Sequence, residues 1–214
     1  MIRRLGWVLA PLLLAAAVPR AEAQEDREPP LLTYLEVGGI KTPIELDKPL
    51  DLKTQEGMTS VTLRVEPYRE FPYAGLGFRY PRSYAFDADL DNPGIRMWTM
   101  EGPDCTVMVF CYPSSSDPAT TLDQSIEGAR ERFGAEESSA EPASLKLGDE
   151  ELSGTLLKIL IGGQSMHQHF FSLATVGGTV LLILQDSPDD GGEPSAEYKA
   201  LIEMLQGSFQ AERQ

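Results

Sequence analysis

Histidine and cysteine are the scarcest reactive residues in this chain, with two of each among 214. The cysteines, Cys105 and Cys111, bracket "CTVMVFC", a β-branched apolar run that reads as a strand. Six residues of strand span about 20 Å, whereas a disulfide needs Cα atoms within about 7 Å. The pair is therefore expected as two buried free thiols on one face, even in an exported chain, where disulfides form. Basic residues are also in deficit: 18 Lys and Arg stand against 33 Asp and Glu, a formal net charge of −15. That charge repels nucleic acid and anionic lipid surfaces, so neither is expected as a partner.

Long apolar runs are limited to one. Arg3 and Arg4 precede an apolar stretch from Leu5 to Val18, and "AEA" at 21–23 puts small residues where a signal peptidase reads. Residues 1–23 are read as a signal peptide, cleaved before Gln24, that sends the chain to the periplasm or the medium. The run is short for a bilayer and no second one follows, so no stable membrane insertion is expected after cleavage. No cysteine stands at the cleavage point to take a lipid. Signature loops of catalysis are missing too: there is no Walker loop, no G-x-G-x-x-G and no G-x-S-x-G elbow. No cofactor is expected, and the balance is against an enzyme.

Beyond the signal, residues 24–57 form an acidic, proline-bearing leader with only weak extended pieces such as "TPIEL". The clearer domain covers 58–209, with 210–214 as a tail. It opens on "SVTLRVEP", where Val61, Leu63 and Val65 alternate with polar residues as in a half-buried strand. "LGFRYP", "SYAFDAD", "IRMWTME" and the cysteine strand follow. Leu122, Ile126, Ala129 and Phe133 then make one stripe of a helix, with Thr121 and Gln124 placed like a capping box. After an acidic Ser/Ala-rich loop come "SGTLLKILI", "QSMHQHFFSLATV" and "TVLLILQD", joined by Gly162-Gly163 and Gly177-Gly178, which read as two-residue hairpin turns. "VLLIL" is apolar on both faces, so this strand is expected at the centre of its sheet. A last helix from about Pro194 faces the core with Tyr198, Leu201, Ile202 and Leu205. The pattern predicts an α/β (α+β) fold: an antiparallel sheet with helices on both faces, an αβα sandwich.

The order of "LGFRYPRSY", "TLDQSIEGARERF", the Gly-Gly-linked meander and "YKALIEMLQGSF" resembles the fold shared by the photosystem extrinsic protein PsbP and the Ran-binding Mog proteins, a group with many exported bacterial members. The resemblance covers roughly residues 58–209 and rests on order and spacing. It implies a non-enzymatic binding or accessory domain and carries over no catalytic residue.

Two candidate sites emerge from the residues. Counting back from the Gly-Gly turns sets His169 opposite Asp186 and His167 opposite Lys158, which brings all four to one sheet face. His167, His169 and Asp186 are a ligand set for zinc, iron or copper. Lys158 and Leu156 beside them argue against a metal and favour a plain polar sheet end. "DADLDN" places Asp87, Asp89 and Asp91 like the start of a calcium loop, but Asn92 and Trp98 stand where Gly and Glu belong. The second candidate is the aromatic-basic stretch from Tyr68 to Phe86. Tyr73, Arg79, Arg82 and Tyr84 there are of the types that anchor interfaces, and they are read as a surface for a protein partner in the cell envelope.

Overall fold

The chain was analysed as a computed structural model that describes residues 27–37, 39–45, 61–134 and 137–213. The signal expected over 1–23 lies outside them. Among the described residues thirteen strands and two helices follow one another. They are β1 (Thr33–Val37), β2 (Ile40–Pro43), β3 (Val61–Val65), β4 (Tyr68–Phe71), β5 (Leu76–Pro81), β6 (Ala85–Asp89), β7 (Arg96–Glu101) and β8 (Cys105–Tyr112). Helix α1 (Pro118–Phe133) precedes β9 (Ser138–Leu147), β10 (Glu150–Ile161), β11 (Gln164–Thr175) and β12 (Gly178–Asp186). Helix α2 (Ala196–Gln206) and a two-residue β13 (Gln210–Ala211) close the chain.

The strands form three sheets: a seven-stranded β6-β7-β8-β12-β11-β10-β9, and two of three strands, β2-β1-β3 and β13-β5-β4. β12 is the middle strand of seven, as its two-faced apolar sequence requires, and all but one of its residues are buried. On one face Leu122, Ile126, Ala129 and Phe133 of α1 cover Leu157, Ile159, Phe170, Leu181 and Ile183. On the other, Val107, Val109, Leu182 and Leu184 meet the β4–β5 layer and α2 through Phe71, Phe78, Leu201 and Leu205. Trp98 is the centre of that layer, stacked on Tyr73 at 5.6 Å and edge-on to Phe71 at 5.7 Å.

The expected αβα sandwich is therefore corrected to a mainly antiparallel β fold. Strand takes 52% of the described residues and helix 17%, and these residues form three sheets and only two helices. The second face is closed by a small sheet with α2 rather than by a helical layer. The sequence pattern hides this because β4 and β5 carry aromatics on the residues that pack inward, and such strands read like members of one large sheet.

Three local differences have plain causes. The acidic loop expected after α1 contains β9, an edge strand of the large sheet, where Pro142 is tolerated because an edge N–H needs no partner. α1 starts before the expected capping box: Asp117 is the N-cap, accepting from the Thr120 N–H at 2.8 Å, with Pro118 in the first turn. The Gly162-Gly163 turn is as expected, both glycines having positive φ. The next hairpin turns instead at Val176-Gly177, since Thr175 pairs with Gly178. A Cβ on Gly177 would lie 2.6 Å from the Ala74 backbone, so that residue serves close packing against another loop.

Candidate functional site

The histidine end of the sheet is built by four adjacent strands. Because the second hairpin turns one residue early on each side, the register moves by two and faces are kept. His167 is paired with Asp186 and with Lys158, while His169 is paired with Leu184 and Leu156. The expected His169–Asp186 pairing is corrected accordingly. All four polar residues do share one face, and Glu141 of β9 joins them, 2.8 Å from Lys158.

Asp186 is 1% exposed. Its Oδ2 accepts from the Ser195 N–H at 3.2 Å, at the cap of α2, and its Oδ1 has no partner. The His169 ring stacks on Tyr198 of α2 at 5.5 Å. Burial, first, holds both imidazoles below their ordinary pKa; for His167 the next cause is the Lys158 cation, and for His169 it is His167. Asp186 and Glu141 pull the other way without prevailing. Among the described residues, no group of three His, Cys, Asp or Glu side chains is disposed to hold a metal ion. The arrangement fits a partly buried sheet end that seats the start of α2.

Cys105 and Cys111 are free and buried. The Cys105 thiol lies 2.7 Å from the Tyr84 hydroxyl and is pushed up to about 12, chiefly by burial. The Tyr84 hydroxyl is likewise driven upward by burial and then by this bond. Glu197 accepts from the N–H groups of Asp104 and Cys105 at 2.6 and 3.1 Å, which ties α2 to the turn before β8. A thiol so placed is packing, not a nucleophile.

The aromatic-basic stretch divides. Tyr73 and Tyr84 are buried, so they are removed from the expected partner surface. Tyr73 stacks in the core and donates its hydroxyl to the Arg27 carbonyl at 2.7 Å. Arg79 and Arg82 do reach solvent. Arg79 lies 4.4 Å from the centre of the Tyr68 ring and pairs with Glu70 at 3.1 Å. Arg82 donates to the Val65 carbonyl at 3.5 Å, at the end of β3.

That contact leads to the feature the sequence pattern concealed. Directly paired residues share a face, so the β2-β1-β3 register assigns each residue of the small sheet to a side. Val61, Leu63 and Val65, with Thr33, Leu35, Val37, Ile40 and Thr42, form one side. That side carries no charge. The other side holds the Arg64–Glu36 pair and Lys41, which lies over Tyr34 and bonds Glu66. On the apolar side Ile40 is 71% exposed, Val61 54%, Leu63 57% and Val65 36%, while Thr33 is buried. The alternation of β3 was legible in the sequence, but alternation states only that one face is apolar, not that anything covers it.

No protein-family model matches the chain, and no curated protein is similar to it.

Proposed function

We propose that this chain is an exported, non-enzymatic accessory domain that works by binding another protein through the apolar side of β1–β3 and Arg82 next to it. The observation that carries this is the concentration of exposed large aliphatics on one uncharged sheet face, which in a chain of net charge −15 is where water gains least by staying. Arg82 at the end of β3 gives the patch a basic border, so the partner surface it fits is apolar with an acidic margin. The buried, inert thiols and the unassembled histidine pair support a binding role over a catalytic one. The resemblance to the PsbP and Mog group, which implies an accessory role, belongs to the same reading.

The test is a photo-crosslinking residue placed at Leu63 in the native cell, with the same residue at Leu160, an exposed aliphatic near a hairpin tip of the large sheet, as control. A discrete heterologous adduct from position 63 and none from 160 is the expected result. The same adducts from both positions, or none from 63, overturn the reading.

A further inference from the structure

The two edges of the small sheet are not equivalent, and backbone hydrogen bonding shows why. The Glu66 N–H bonds the Leu32 carbonyl, at 2.9 Å, and the Ile44 N–H bonds the Thr33 carbonyl, at 2.9 Å. In an antiparallel pair, hydrogen-bonded and non-bonded positions alternate. In register with these two bonds, Arg64 and Thr62 of β3 direct their backbone groups at β1, as do Thr42 and Ile40 of β2. The outward groups are then those of Lys41 and Pro43 on the β2 edge, and of Val61, Leu63 and Val65 on the β3 edge. The Arg82 contact to the Val65 carbonyl, made from outside the sheet, agrees with this assignment.

The β2 edge is thus closed to another strand: Pro43 has no N–H to offer and Lys41 places an ammonium beside it. The edges of the large sheet are guarded as well, β6 by Asp87 and Asp89 and β9 by Glu141, Pro142 and Lys146. The β3 strand has no proline, its Arg64 is held by Glu36 across the face, and the one cation at its edge, Arg82, lies at the Val65 end. Among the described residues no strand pairs with it.

We infer that the β3 edge takes a second copy of this chain, by antiparallel pairing of β3 with itself about a twofold axis at Leu63. The sequence of the strand is self-complementary in that register. Leu63 faces Leu63 of the second copy, Val61 faces Val65, and Thr62 faces Arg64, so no like charges are opposed. The outward N–H and C=O groups of Val61 and Leu63 and the N–H of Val65 gain hydrogen-bonding partners, while the Val65 carbonyl already accepts from Arg82. The apolar sides of the two small sheets also become one six-stranded face. The inference rests on the reading of this sheet as an interface, but it names a different occupant for the edge than for the face.

Light scattering across a concentration series of the full mature chain, from about 1 µM to about 1 mM, reads the outcome; pairing over so short a strand implies weak, concentration-dependent association. Wild type is expected to move from monomer toward dimer. Leu63→Pro, which removes an outward N–H without touching the β1 ladder, is expected to stay monomeric. Leu63→Lys, an exposed position where the folded monomer bears little cost, sets two cations face to face on the axis and is expected to stay monomeric too. A wild type that remains monomeric throughout overturns the inference, as does a dimer that survives Leu63→Lys. In the cellular experiment above, an adduct of exactly two copies alone would support self-pairing while overturning the heterologous partner.

Discussion

Single residues decide most at the end of the sheet where His167, His169 and Asp186 meet. Both imidazoles are held below the ordinary value of 6.5, so the folded state favours their neutral forms. Their contribution to stability is complete above that value, and it is lost as pH falls through the lower folded values. Urea midpoints should therefore drop on going from about pH 7.5 to about pH 5.5, and less so in a His167→Gln, His169→Gln double variant. An equal drop in both proteins would mean that other groups carry the dependence. The same residues show how far the sequence could be read. Their shared face was legible, because a register moved by two keeps parity. The pairing within that face was not, because the turn falls on Val176-Gly177, with Gly177 packed on the Ala74 backbone about a hundred positions away, and Gly178 enters the ladder instead.

Elements whose apolar spacing matches their burial were the readable ones. The α1 stripe and the two-faced β12 were both placed correctly, since each packs on a surface that its own periodicity implies. β9 was read as a loop, because nothing in "SSAEPASLKL" signals a strand except the partner that pairs with it. The small N-terminal sheet was half visible: the alternation of β3 was clear, but β1 and β2 are short, and β3 joins β1 from the far side of residues 44–60. Caps are the local devices that fix where elements begin. Ser195 caps α2 by accepting from the Tyr198 N–H at 3.0 Å, while its own N–H bonds Asp186. Replacing it by Ala removes the cap oxygen and keeps the N–H, which should cost about 1 kcal/mol in the unfolding free energy by urea titration. A loss of several times that would place the energy of the α2 seat in the cap and not in the Tyr198, Leu201 and Leu205 packing.

Across the whole molecule, the first and last described segments are tied to the body. The Arg27 and Pro29 carbonyls are held by Tyr73 and Arg69, and the last strand is pinned at several points. β13 pairs with β5, the Glu212 N–H bonds the Gly75 carbonyl, the Glu212 carbonyl accepts from the Val176 N–H, and Arg213 pairs with Glu150. The residues read as a tail are therefore structural. Deleting 210–214 removes about four backbone bonds and should lower stability by about 2–4 kcal/mol, measured by urea titration; a deletion without effect would show that this seam is not held in solution. One more consequence follows from the placing of β12. It stands between β8 and β11, which do not pair with each other, so the two halves of the large sheet cannot join before residues 178–186 exist. Both cores wait on a strand made near the end of synthesis, and in the large sheet the one ladder between non-consecutive strands is β8–β12. A nascent chain of this design stays open until late.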